Sequence, residues 1–390
     1  MRVLSGMRPT GRLHLGHVFV IKNWIQLTEQ NSCFFMVADL HALTSSYREP
    51  CNIIEDSIQM VIDWLSLGLN HSYATIFRQS DVPMHTELSF LLSLITPKSW
   101  LEWNPTYKDL RQNLLNLKDI TSKIKNQLED SLSLLLKSLS LEIKDVQKLK
   151  DIFLDAISES VIRGFFEGYV GLTELQTSKR EFFDIDTLGF FSYPVLQSAD
   201  ILLYRANLVP VGEDQLPHIE LSRQIARRFN QLFGETFIEP QGIVSVVPRL
   251  PGIDGRKMSK SYQNAIFLTE DAESLKTKVM SFFTDPTKLK KSDPGRPQLC
   301  PVFANHRVFT RNWSVEEIED DCKAGKLGCV ECKNRLFESL KDFLEPIYTR
   351  RQSISRQFVI DILESGAIVA RGEATKTLSE VRKRLCLSGS

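Results

Sequence analysis

The sequence has no apolar run near the length of a bilayer span. None of its 390 residues lies in a stretch approaching about 20 uninterrupted apolar positions, which excludes a transmembrane helix and offers no membrane partner. The opening, Met1-Arg2-Val3-Leu4-Ser5-Gly6, turns to glycine and proline after a short apolar segment and does not read as a signal peptide. Excess charge is missing too, since 48 Lys and Arg balance 48 Asp and Glu. Any surface for nucleic acid must therefore be local. There are no internal repeats, no low-complexity tails, and neither G-x-x-x-x-G-K-[ST] nor G-x-G-x-x-G. Cysteine is sparse, at seven. With no export signal, a disulfide framework is not expected and a cytoplasmic location is.

What is present is ordinary for a globular chain, 42% hydrophobic and 25% charged, and long enough for two domains. A short apolar strand around Val3 and Leu4 is followed by a Gly/Pro-rich loop and a helix from about Gly16 to Glu29. Phe34 to Ala38 reads as a second strand, Ile53 to Leu67 as a helix, and Ala74 to Phe77 as a third strand. Strands alternating with helices imply an α/β fold with a parallel sheet. From Leu110 to Leu139, apolar residues recur at steps of three and four, and a second helical run follows to Ile162. This predicts a packed helical hairpin, inserted at 110–178, in preference to a partner-binding arm. The α/β pattern resumes with a helical Tyr193–Tyr204 and a strand at Asn207–Val211. After about Tyr262 the chain reads as mostly helical. The expected boundaries are 1–109 with 179–262, then 110–178, then 263–390.

Arg8-Pro9-Thr10-Gly11-Arg12-Leu13-His14-Leu15-Gly16-His17 lies between the first strand and first helix. That junction suits phosphate, because N–H groups at a helix start point outward with partial positive charge. His14 and His17 can reach a polyphosphate from one turn. Alone, the pattern is weak and reads more readily as two ordinary loop histidines. Gly255-Arg256-Lys257-Met258-Ser259-Lys260-Ser261 crowds two lysines into a Gly-led loop about 240 residues later. Lysine suits diffuse phosphate charge as a mobile point charge. Alone, this is a solvated basic turn.

Together, in this order, H-L-G-H and K-M-S-K-S resemble the paired signatures of class I aminoacyl-tRNA synthetases. Val211-Gly212-Glu213-Asp214-Gln215-Leu216-Pro217-His218-Ile219-Glu220 and Tyr193-Pro194-Val195-Leu196-Gln197-Ser198-Ala199-Asp200-Ile201-Leu202 resemble the tryptophanyl branch; the tyrosyl branch usually shows Gly-Ser-Asp-Gln in the first. The resemblance implies a Rossmann-like catalytic domain and a helical anticodon-binding domain at 263–390. It implies ATP with Mg²⁺, L-tryptophan and tRNA(Trp) as substrates and partners, and a homodimer. ATP would meet Arg8, Thr10, Gly16, His17, Gly212, Asp214, Lys257, Met258, Ser259, Lys260 and Ser261, with His14, His17, Lys257 and Lys260 on the triphosphate. Tryptophan would meet His41, Tyr193, Gln197, Asp200 and Gln215. Asp200 matches the acceptor for the indole N–H, a fit because tryptophan's ring offers only a donor. Lys108 is a further candidate. Leu4 departs from the pattern, standing where the family often has an aromatic residue. A tyrosyl-type enzyme, or an inactive paralogue that binds RNA or senses tryptophan, is the alternative.

Cys300, Cys322, Cys329 and Cys332 read C-x21-C-x6-C-x2-C. Four thiolates suit zinc or a [4Fe–4S] cluster, and spacing does not choose. The C-x6-C-x2-C run resembles a cluster-bearing subgroup of tryptophanyl enzymes. Zinc, or reduced thiols without metal, are the alternatives. Lys288, Lys290, Lys291 and Arg296 form a basic group that could meet phosphates or be a solvated charge run.

Overall fold

The computed structural model describes residues 1–47, 52–103, 108, 112, 187–244, 250–260 and 262–387. The hairpin expected at 110–178 thus lies outside the described residues except for Gln112, and Ser261 lies outside them as well. By its contacts the chain divides into two compact units, 1–96 with 185–390, and 97–184.

The first unit is built on five parallel strands, β1 (Arg2–Met7), β2 (Ser32–Val37), β3 (Ala74–Arg78), β4 (Leu208–Val211) and β5 (Gln241–Val244), in the order β3-β2-β1-β4-β5. Register runs from Arg2 opposite Ser32 to Met7 opposite Val37, and from Cys33 opposite Ala74 to Val37 opposite Arg78. β2 is buried at every position after Ser32. That is why it reads as a continuous apolar run: a parallel strand covered on both faces has no polar side to show. β5 has no such signature. It is four half-exposed residues with a central glycine, and its pairing with β4 makes it a strand.

Helices α1 (Val18–Thr28), α2 (Asp39–Ser46), α3 (Ile53–Ser66), α4 (Met84–Ser93), α6 (Leu188–Leu203) and α7 (Leu216–Phe233) belong to this unit; α5 (Lys98–Glu102) belongs to the second. The chain then runs through α8 (Ala272–Met280), α9 (Pro301–Phe309), α10 (Val315–Lys323), α11 (Cys329–Ser353) and α12 (Arg356–Arg384). Trp24 stacks on Phe35 at 4.5 Å and meets the edge of Trp64 at 5.1 Å. This core continues without a break into Leu336, Leu340, Val359 and Ile362. The helices after residue 263 therefore share a core with the sheet. Among the described residues no helix is long and apolar enough to cross a membrane.

β3 is an edge strand, and an open edge invites unwanted pairing unless something covers it. α12 does so. A Cβ on Gly366 would lie 1.9 Å from the Ile76 carbonyl oxygen, so only a residue without a side chain lets helix and strand backbones approach this closely. Helix propensity alone favours alanine over glycine by about 1 kcal/mol. We expect the opposite sign here: Gly366→Ala should destabilise by about 1–3 kcal/mol, read as a lower urea midpoint at unchanged slope.

Candidate active site

In an open parallel sheet, ligands bind beyond the carboxyl ends of the strands where the strand order reverses. Here that point lies between β1 and β4. The loop after Met7 holds Arg8 to His17, and the loop after Val211 holds Gly212 to Gln215. The two motifs that the sequence sets about 200 residues apart thus leave neighbouring strands at one end of the sheet.

His14 caps the short turn Leu15–His17. Its Nδ1 accepts the Gly16 N–H at 3.1 Å, and His17 Nδ1 accepts the His14 N–H at 3.1 Å. Each bond places the ring proton on Nε2, so both imidazoles offer an Nε2–H donor. The rings lie 4.0 Å apart. A Cβ on Gly16 would fall 2.9 Å from His14 Cε1, which makes glycine necessary at that position. Burial, then the charges of His17, Lys260 and Lys257, lower His14 to about 2. It is therefore a neutral donor at any working pH.

The lysines reach His14 because their loop is moored to the first motif. Leu15 N–H donates to Ile266 O at 3.0 Å, and Leu268 N–H to Leu13 O at 3.0 Å. Lys260 Nζ donates to Thr10 O at 3.1 Å. Asn264 staples the loop from within, accepting Ser259 N–H at 2.8 Å and donating to Asp254 at 2.7 Å and Lys257 O at 3.1 Å. Met258 and Ser259 are buried, so their side chains anchor the loop while Lys257 and Lys260 carry its charge. Glycine at 252 admits Asn264, whose Cγ a Cβ there would meet at 2.3 Å.

The residues expected to meet the amino acid fall into two hydrogen-bonded groups, linked by a ring contact between His41 and Tyr193. Asp200, on α6, is 2% exposed. Its Oδ2 accepts from His41 Nε2 at 2.7 Å, and its Oδ1 from Gln79 Nε2 at 2.8 Å and His85 Nδ1 at 2.6 Å. Burial pushes this carboxyl up, but the hydrogen bonds and charges of His41 and His85 outweigh it and hold it at about 2. The edge of Tyr193 faces His41 at 6.5 Å. Tyr193 Oη donates to His218 Nε2 at 3.2 Å, while His218 Nδ1 donates to both Gln197 Oε1 and Gln215 Oε1 at 2.9 Å. Gln215 in turn donates to Asp214 at 2.9 Å. Gln79, His85 and His218 were not singled out from sequence. His218 carried a signal, one helical turn beyond Gln215; His85 and Gln79 carried none, because only tertiary packing brings them to Asp200. Leu4 is buried in β1. Lys108, in the second unit, lies over the Trp103 ring at 4.1 Å.

A family profile described as tRNA synthetases class I (W and Y) matches residues 1–127 and 172–345. The chain belongs to that family. It is 49% identical to the tryptophan–tRNA ligase of Aquifex aeolicus, over 99% of this chain and 100% of that one. It is 39% identical to that of Thermotoga maritima, over 99% of each. A crystal structure of the Campylobacter jejuni tryptophanyl-tRNA synthetase, complexed with ADP and tryptophan, superposes with a TM-score of 0.74 at 28% identity, covering 99% of this chain and 100% of that one.

Away from the sheet, this member of the family gathers its four clustered cysteines between helices. Cys300 caps α9, Cys322 lies on α10, and Cys329 and Cys332 open α11. Burial raises the thiols of Cys300, Cys322 and Cys332, and each thiol feels the charge of others in the set. Among the described residues, no group of three or more His, Cys, Asp or Glu could hold a metal ion as placed. Half of the nearby basic group is used internally. Lys288 is buried and donates to the carbonyls of Lys291 and Asp293. Arg296 forks onto Asp285 at 2.9 and 2.6 Å.

His218 gives the site a pH limit. Burial, the largest cause, lowers it from 6.5 to about 4. The unfolded chain then binds this proton more readily than the folded one, so stability is lost as pH falls from 6.5 towards 4. His14, lowered to about 2, and His306, lowered to about 4, act in the same direction. Thermal unfolding followed from pH 7 to pH 4 should show a falling Tm, each such histidine contributing about 1.4 kcal/mol per pH unit. His218→Asn should flatten part of that slope.

Proposed function

We propose that this chain activates L-tryptophan with ATP and loads it onto tRNA(Trp), working in the cytoplasm. One observation carries the reading: loops that present imidazole Nε2–H donors and two lysines stand at the same end of the sheet as a buried ionised carboxylate held by His41, Gln79 and His85. In the first step a tryptophan carboxylate oxygen attacks the α-phosphorus. A new P–O bond forms, the bond to the bridging oxygen breaks, and pyrophosphate leaves. In the second, a hydroxyl of the terminal adenosine of tRNA attacks the acyl carbon and AMP leaves. No side chain need act as nucleophile. The gain comes from positioning and from donors aimed at developing charge.

His14, His17, Lys257 and Lys260 hold the triphosphate. Arg8, Thr10, Gly16, Gly212, Asp214 and the 257–261 loop complete the ATP site. Mg²⁺ would arrive with ATP and would supply neutralisation of phosphate charge, without a dedicated protein cage. His41, Tyr193, Gln197, Asp200 and Gln215 hold tryptophan. With three hydrogen bonds already made to Asp200, about one of its four acceptor positions remains, on Oδ2, for the indole N–H. The helices after 263 meet the anticodon. A homodimer completes the enzyme, a reading supported by Phe90 of α4 and Leu94 just beyond it, 64% and 66% exposed.

Cys300, Cys322, Cys329 and Cys332 we propose as ligands of a [4Fe–4S] cluster, zinc being the alternative. The donor set fits chemically. The four thiols stand on or beside three consecutive helices, and the Cys300 sulfur accepts backbone N–H groups of Phe303 and Val302, which stabilise a thiolate. When bound, the group would tie α9, α10 and α11 together; it takes no part in the reaction.

Purified protein should catalyse ATP–pyrophosphate exchange with tryptophan and not with tyrosine. Absence of exchange with tryptophan would overturn the reading. Lys260→Ala should lower the exchange kcat about 10²–10³-fold with little change in tryptophan KM, the pattern of an interaction made only in the transition state. An equal rise in tryptophan KM would move Lys260 into the amino-acid site. Protein purified anaerobically should be brown and hold about four irons per chain. Zinc in a colourless sample would replace the cluster with a structural zinc site.

A further inference from the structure

Asp200 is held by two residues that the reaction itself does not call for. Gln79 follows β3 and His85 lies in the first turn of α4, and both are fully buried. Both donate to the same carboxylate oxygen, Oδ1, at 2.8 and 2.6 Å. An oxygen of this kind has two lone pairs, so Oδ1 is saturated. His85 Nδ1 carries a proton at this contact, because an ionised carboxylate only accepts. Its Nε2 lies 2.9 Å from Tyr204 Oη, which holds the far edge of the ring. Phe77 and Tyr204 flank the His85 ring at 6.1 and 5.5 Å, leaving the imidazole no room to turn. A carboxylate saturated on one oxygen cannot rotate or take a proton there, and its open position stays on Oδ2. Gln79 adds a second acceptor. Its Oε1 is buried and has no hydrogen-bond partner. Gln79 Oε1 and the open position on Asp200 Oδ2 therefore both ask for a donor.

We propose that His85 and Gln79 are positioning residues for side-chain specificity, holding Asp200 as an oriented acceptor so that an amino acid with a ring N–H is chosen over one of the same shape without it. This rests on the reading that Asp200 meets the indole N–H. A site built around one hydrogen bond rejects the analogue lacking it far more strongly than a pocket that measures shape alone. Loosening the acceptor should thus weaken tryptophan binding and, with it, the discrimination.

The test is ATP–pyrophosphate exchange with tryptophan and with 3-benzothienylalanine, in which sulfur replaces the ring N–H. Wild type should prefer tryptophan. In His85→Leu the tryptophan KM should rise about tenfold and the preference fall by a similar factor, with ATP KM unchanged. His85→Asn, which keeps a donor near the Nδ1 position, should restore most of the preference. Gln79→Met should shift the preference in the same direction as His85→Leu, and it stands in should that variant fail to fold. If the variants slow both amino acids equally and the preference survives, His85 and Gln79 are structural and the inference falls. A wild-type enzyme with no preference would instead overturn the Asp200 reading itself.

Discussion

A charge held out of water must be met on every side, and the amino-acid half of this site is organised by that requirement. Asp200 is 2% exposed, and an unpaired carboxylate there would sooner take a proton than remain ionised. Residues from four elements converge to prevent it. His41 comes from α2, Gln79 from the turn after β3, His85 from α4, and Tyr204, behind His85, from the end of α6. Their positions follow from the sheet, whose buried strands β1 to β3 bring these elements to one end. Packing and electrostatics are thus one constraint seen twice: the core fixes the donors, and the donors fix the charge.

The proposed phosphate half faces the opposite problem. It is read as a site for anions, yet His14 is neutral. The lysines of the second loop help make it so, since their charges add to burial in disfavouring a proton on His14. Positive charge resides on Lys257 and Lys260, while directed donation resides on imidazole Nε2–H groups. Lysine gives a charge without direction and neutral histidine a direction without charge; a spread-out polyphosphate uses both.

Much of this was legible in the sequence, for physical reasons that differ along the chain. β2 was plain because a strand buried on both faces is apolar throughout, and α3 because its apolar face recurs at helical spacing. The two loops proposed to meet phosphate stand out in the sequence because each crowds histidine or lysine beside glycine, a composition that folding alone would not favour. β5 was not legible, because four half-exposed residues with a glycine become a strand only beside β4. His85 was hidden for the same reason on a larger scale: nothing within α4 distinguishes a histidine aimed at Asp200, 115 residues further along. The boundary expected at 263 follows a change of pattern in the sequence, from alternating strands and helices to helices. Yet Leu336 and Val359 pack in the same core as Phe35, because a periodicity does not say where a face is buried.

The contact at Gly366 has a mechanical meaning. α12 runs unbroken for 29 residues, a rod of about 43 Å, and Gly366 lies about 15 Å from its start. At that point the helix rests directly on the backbone of β3, with no side chain between them to yield. Towards its ends the helix is held through side chains, by the buried Val359 and Val381 and by the exposed pairs Arg356 to Glu55 and Arg382 to Glu87. Gly366 is therefore its one backbone-on-backbone support among the described glycine contacts, with the longer arm reaching about 27 Å beyond it. A tilt of a few degrees at the strand would carry the far end by more than an ångström, with the edge of the catalytic sheet as its axis.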